Sequence, residues 1–289
     1  MNGSNRRGIA LMIATVFAFA CQDGFSRHLA ETYNTPMIVM LRYWVFAAFV
    51  MVLALRRPEG LRAAVATRRL PLHALRAVLL VGEIAVIVWG YTLIGLIESH
   101  AVFAVCPLLV VALSGPMLGE RISLGRLVAV GAGMLGVLII LRPGAGVFSW
   151  PALLPLASAL LFAVYSVLTR LTARDEPNFP VFFWPAVLGA VLITAIGLPN
   201  WEPIRPLDWL FVLLYAAVSV ISNWLMLKTY EAAEASAVQP FAYLQLVWSS
   251  VLAIVLFNEV LRHNVALGAV LVVAAGLFTL WRQRVRARG

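Results

Sequence analysis

Charge is scarce in this sequence. Of its 289 residues, 12% are Asp, Glu, Lys or Arg, where a soluble domain carries about 25%. There is one lysine, Lys228, and there are two cysteines, Cys21 and Cys106. Both cysteines sit inside apolar runs, without the spacing of a disulfide framework or a metal site. The four histidines (His28, His73, His100 and His263) are scattered, and no HExxH or GxSxG motif occurs. No metal, no cofactor and no nucleophile–base pair is therefore expected, and the chain is not read as an enzyme. Hydrophobic residues make up 62% of the chain, and the mean hydropathy is +0.93. A soluble globular domain and a disordered chain are both excluded by these values. So is an outer-membrane barrel, because the apolar runs are unbroken and too long for alternating strands.

A hydrocarbon core needs roughly 20 apolar residues per helical span. Ten such segments can be read. The first five are Ile9–Leu29, Pro36–Leu55, Leu75–Leu96, Ser99–Leu118 and Gly125–Leu141. The second five are Trp150–Leu171, Phe179–Leu198, Leu207–Tyr230, Ala235–Phe257 and Val265–Trp281. Lipid offers exposed backbone groups no partners, so these segments are predicted as helices. The expected fold class is an all-α integral membrane protein with ten transmembrane helices.

The net charge of +9 suggests nucleic acid in a soluble protein. Here it reads as topology. With the N-terminus in the cytoplasm, 17 basic residues fall on the inner side and four (Arg27, Arg142, Arg205 and Arg262) on the outer side. Arg42 lies within the second span. This split predicts both termini in the cytoplasm and no nucleic-acid partner. Arg6-Arg7 followed by an apolar run loosely resembles a cleavable leader. The run continues past that point, so it is read as the first span. The Arg282–Arg288 tail reads as a basic flank of the last span.

The chain is expected to hold two related halves, residues 1–143 and 144–289. Shifted by 143 positions, Ala14–Ala20 lands on Ala157–Ala163, and Ser26-Arg27 lands on Thr169-Arg170. Gly119-Glu120 in the first half parallels Asn258-Glu259 in the second. Five spans per half is an odd number, so the second half enters from the opposite side. That is an inverted repeat, an architecture shared by many secondary transporters, with solute bound near the midplane.

Two five-helix halves, each with a Gly/Asn-Glu step before a small-residue last helix, resemble the drug/metabolite transporter superfamily. The closest branch is the bacterial ten-span exporters of the EamA type. The resemblance covers nearly the whole chain. It implies a secondary transporter in the bacterial inner membrane, exporting amino acids, aromatic or otherwise neutral, or related metabolites by alternating access. Asn258 departs from the pattern, which usually has Gly there. Multidrug, nucleotide-sugar and organophosphate transport are the alternatives within the superfamily. A receptor or structural role is the alternative outside it.

Polar groups inside membrane helices usually face the bundle interior. In the first span Thr15, Phe19, Gln22, Asp23 and Ser26 share one face. Their repeat partners are Ser158, Phe162, Tyr165, Ser166 and Thr169. The same stripe also suits plain helix–helix packing through hydroxyls. Glu83 is the sharpest single residue, alone in an apolar run and on one face with Ile87 and Tyr91. It is expected either to bind solute or carry a coupling proton, or to form a buried ion pair with Arg42. Asp23 is expected to pair with Arg27 one turn on. Ser222 and Asn223 in the eighth span, and Gln239, Tyr243, Gln245 and Trp248 in the ninth, complete the candidate binding set. Trp89, Tyr91, Tyr165, Tyr243 and Trp248 are candidates for stacking on a bulky solute. Pro107 is expected to kink the fourth span. The fifth and tenth spans, rich in small residues, read as scaffold or as a dimer contact. Sequence leaves open whether the protein is a monomer or a homodimer.

Overall fold

A computed structural model describes residues 3–118, 124–141, 150–173, 176–232, 241 and 243–286. The first half of the chain gives α1 (Gly3–Ala30), α2 (Thr35–Leu55), the short α3 (Leu61–Ala64), α4 (Leu70–Ile94), α5 (Leu96–Phe103), α6 (Cys106–Leu118) and α7 (Leu124–Leu141). The second gives α8 (Leu154–Ala173), α9 (Asn178–Gly197), α10 (Asp208–Ala232), α11 (Leu244–Phe257) and α12 (His263–Arg286). No strand occurs among the described residues. Five helices, within α1, α2, α4, α9 and α10, are long and apolar enough to cross a membrane, and the shorter apolar helices accompany them.

Local chemistry sets the breaks. Asn34 caps α2 by accepting from the Met37 N–H at 3.0 Å, and Pro36 sits in the first turn. There its missing N–H costs nothing. Gly95, at φ +87°, ends α4 and starts α5. A side chain resists that left-handed geometry. The fourth span is not merely kinked. It is broken at Ala104-Val105, between α5 and α6. Pro107 in the first turn of α6 offers no N–H to continue the α5 ladder.

The outer surface is apolar, and the interior holds several polar side chains among many apolar ones. Gln22, Arg42, Glu83 and His100 are buried. Val191, Val255, Leu267 and Val270 are exposed on the outside. An apolar surface, with the polar side chains turned inward, is the arrangement that lipid stabilises.

Helix α1 packs on α10 and α11, while α8 packs on α4 and α6. Helix α2 packs on α9, and α7 on α12. The last crossing is backbone to backbone. A Cβ on Gly136 would stand 2.8 Å from the Gly268 carbonyl oxygen, and one on Gly268 2.5 Å from that of Gly136. The small residues of the fifth and tenth spans thus meet each other within the chain.

Candidate functional site

Five helices bring ionisable groups to one buried place. Asp23 comes from α1, Arg42 from α2, Glu83 and Tyr91 from α4, Tyr165 from α8 and Tyr215 from α10. Asp23, Arg42, Glu83, Tyr91 and Tyr215 each lie within electrostatic range of others in this set, and Tyr165 joins them through Tyr43. Helical spacing explains the convergence, because each residue sits on the inward stripe of its own helix.

The contacts divide into two groups. In the first, Arg42 Nε donates to Ser219 Oγ at 2.6 Å. Its guanidinium carbon lies 5.9 Å from the ring centroids of both Tyr43 and Tyr215. Ser158 Oγ donates to Glu83 Oε1 at 3.1 Å. Ser222 Oγ lies 3.0 Å from Gln22 Oε1. In the second group, Asp23 Oδ2 lies 3.1 Å from His100 Nε2 and accepts from Gln245 Nε2 at 3.2 Å. The Tyr91 hydroxyl stands 3.2 Å from the same His100 nitrogen. Rings extend the site: Phe103 to Phe162 spans 5.9 Å between centroids, and Phe162 to Tyr165 5.8 Å.

Several buried polar atoms in the bundle have no protein partner. They include the hydroxyls of Tyr43, Tyr215, Tyr243, Ser99 and Ser249. Buried polar groups are almost always satisfied, and each exception asks for a reason. Among the described residues no group of His, Cys, Asp and Glu could hold a metal ion.

The two ends of the bundle are tied differently. At one end Glu259 accepts from the Leu96 and Ile97 N–H groups at 2.7 and 2.9 Å, and it pairs with Arg27. Arg262 pairs with Glu98 at 3.1 Å. At the other end, about 33 Å away along α4, Glu176 accepts from the Thr67 hydroxyl at 2.7 Å and faces His73 Nε2 at 2.8 Å. His73 Nδ1 lies 2.9 Å from Arg76 Nη1, and Arg76 Nε donates to Thr169 at 3.1 Å. Glu176, outside the spans, is pulled up by burial. The donors Thr67, His73 and the Arg68 N–H outweigh that and hold it below the usual value of 4.5.

Most sequence-derived candidates converge. Gln22, Asp23, Arg42, Glu83, Tyr91, Phe162, Tyr165, Ser222 and Gln245 lie in or beside the cluster. Tyr243 adjoins it through Cys106, which lies near Glu83. Asn223 turns back to the Ser219 carbonyl of its own helix at 2.8 Å. Trp248 packs with Met12, Val16 and Met226 on the α1–α11 seam, edge-on to Phe17. Gln239 lies outside the described residues.

Three expectations are corrected. Trp89 is 47% exposed and meets Trp150 at the surface, because six residues from Glu83 rotate it to the far side of α4. Asp23 does not pair with Arg27. It turns inward to His100, while Arg27 turns to Glu31 and Glu259. Arg42 and Glu83 make no direct ion pair, since serines from α10 and α8 hold them separately. Sequence reasoning also missed the partners Tyr43 and Tyr215, and both end networks. Tyr43 had a signal, as the immediate neighbour of Arg42. Glu259 had one in the repeated Gly/Asn-Glu step.

Comparison with known proteins places these features. Residues 6–142 and 149–281 each match the EamA-like transporter family. A riboflavin transporter of Vibrio cholerae is 26% identical over 98% of this chain and 96% of its own length. An S-adenosylmethionine uptake transporter of Rickettsia prowazekii is 25% identical over 96% of this chain and 93% of its own. A crystal structure covering 99% of both chains superposes with a TM-score of 0.63 at 19% identity, which shows the fold alone.

Proposed function

The chain belongs to the EamA-like transporter family, and from that premise we propose that it exports neutral or aromatic amino acids and related metabolites by alternating access. The carrying observation is the central cluster. Both signs of charge, unpartnered hydroxyls and a run of rings are buried inside an apolar-surfaced bundle. That combination suits a zwitterion with a bulky body. It suits a nucleotide sugar or organophosphate less well, because among the described residues the buried arginines are Arg42 and Arg76, and Arg76 is tied to His73 and Thr169 at one end of the bundle. Multidrug transport, which would favour an unpartnered Glu83, is the weaker reading, because Ser158 donates to that carboxyl group.

The proposed architecture is two five-helix halves of opposite polarity. Two observations support it: the family matches twice, and exchanging the halves maps the packing pairs onto one another. The α1–α10 contact corresponds to α8–α4, and α1–α11 to α8–α6. Helices α2–α9 and α7–α12 correspond to themselves. We place the protein in the bacterial inner membrane with both termini cytoplasmic, as the 17-to-4 distribution of basic residues supports.

A second reading follows from the relatives' solutes. Riboflavin and S-adenosylmethionine both carry a flat nitrogen heterocycle, and S-adenosylmethionine also carries an amino-acid end. The ring run Phe103–Phe162–Tyr165 fits such a body. Uptake rather than export belongs to this reading. The test is flux in proteoliposomes of labelled tryptophan, riboflavin and S-adenosylmethionine, in both directions, with and without a pH gradient. Tryptophan flux is expected. Flux of the heterocycles alone replaces the amino-acid reading with the second one, and flux of none of the three overturns both.

A further inference from the structure

We propose that Arg42 and Glu83 are a deliberately separated pair that grips the two ends of an amino-acid zwitterion, the guanidinium taking the carboxylate and Glu83 taking the ammonium. This deepens the transport reading above and rests on it.

The argument starts from cost. A buried charge is expensive unless it is paired and fully hydrogen-bonded. Arg42 and Glu83 are both more than nine-tenths buried, and they are close enough to interact electrostatically. Two such groups gain most by closing on each other. They do not close. Ser219 on α10 holds Arg42 through Nε, and Ser158 on α8 holds Glu83 through Oε1. A helix-borne hydroxyl thus fixes each charge, which preorganises the two in place for a solute that carries both complements.

The surroundings match each end. Tyr43 and Tyr215 flank the guanidinium, and both are 1% exposed with hydroxyls that have no hydrogen-bond partner. A cation beside two unsatisfied O–H donors is chemistry for an incoming carboxylate. Glu83 also lies within electrostatic range of Asp23, so a second carboxyl group stands near it. That is chemistry for an ammonium. The rings of Phe162 and Tyr165, 5.8 Å apart between centroids, offer aromatic faces to the side chain of an aromatic amino acid.

The experiment is equilibrium binding of labelled L-tryptophan to the purified full chain, competed by tryptamine, which lacks the carboxylate, and by indole-3-propionate, which lacks the ammonium. In the unaltered protein the zwitterion should outcompete each analogue by about tenfold or more. Arg42→Gln should abolish its advantage over tryptamine alone. Glu83→Gln should abolish its advantage over indole-3-propionate alone. Equal weakening of all three compounds in either variant, or unchanged selectivity, overturns the assignment and leaves the pair as structural. If Arg42→Gln does not fold, Arg42→Lys carries the test: it keeps the charge but loses the fork, and selectivity over tryptamine should fall while the thermal midpoint holds. Absence of tryptophan binding in the unaltered protein also overturns the proposal. Transport itself is judged separately, by flux of the heterocyclic solutes.

Discussion

Glu259 caps a helix 163 residues before it in the chain: its carboxylate accepts from the Leu96 N–H at 2.7 Å. The Ile97 N–H and the Arg27 guanidinium complete the arrangement. The first turn of a helix leaves several N–H groups without partners, and its dipole favours an anion there. Glu259 therefore fastens α11 and α1 to the α4–α5 junction at one end of the bundle. Glu259→Gln keeps the shape but removes the charge. It should cost about 1–2 kcal/mol, read as a lowered thermal unfolding midpoint in detergent. If the midpoint does not move, the carboxylate contributes no stability at this junction.

The α7–α12 crossing gives a sharper prediction. A valine at Gly136 meets backbone rather than a yielding side chain, with the Gly268 oxygen at 2.8 Å and the Val272 nitrogen at 3.1 Å. The helices must separate, at a cost of about 1–3 kcal/mol or more. Gly136→Val should sharply reduce the yield of folded protein on size-exclusion chromatography. Gly131→Ala is the control, since a Cβ there meets nothing within 4 Å. It should be neutral, or stabilising by about 0.5–1 kcal/mol through helix propensity.

Acid should expose the opposite end. Glu176 titrates below 4.5 in the folded protein despite partial burial, because Thr67, His73 and the Arg68 N–H favour its charged form. A carboxyl depressed on folding adds stability above its unfolded value, and that contribution is lost as the pH falls through its folded value. The unaltered protein should therefore lose stability on acidification below about pH 4.5. Glu176→Gln should be less stable at neutral pH and flatter across the acid range. Thermal midpoints measured from pH 7 to pH 3 distinguish the two.

The helices were legible because lipid imposes a simple rule on a long apolar run. Every one of the ten segments has a helical counterpart among the described residues, with ends displaced by a few positions or more. The inward stripe of α1 was legible for the same reason: Gln22 and Asp23 could not face lipid. Pairing between helices was not. Asp23 has Arg27 one turn away in sequence, and nothing local reveals His100 as its partner. Trp89 was misplaced because residue type outweighed its angle from Glu83. The break before Pro107 was underestimated, since a proline's effect on a ladder depends on whether neighbouring helices support the bend.

The reciprocal glycines at 136 and 268 carry one more implication. Two backbones in direct contact have no flexible side chains between them to absorb a shift. A slide of α7 along α12 by even one residue would drive a Cβ into a carbonyl. This seam is a keel: α7 and α12 are expected to travel together in any rearrangement of the bundle.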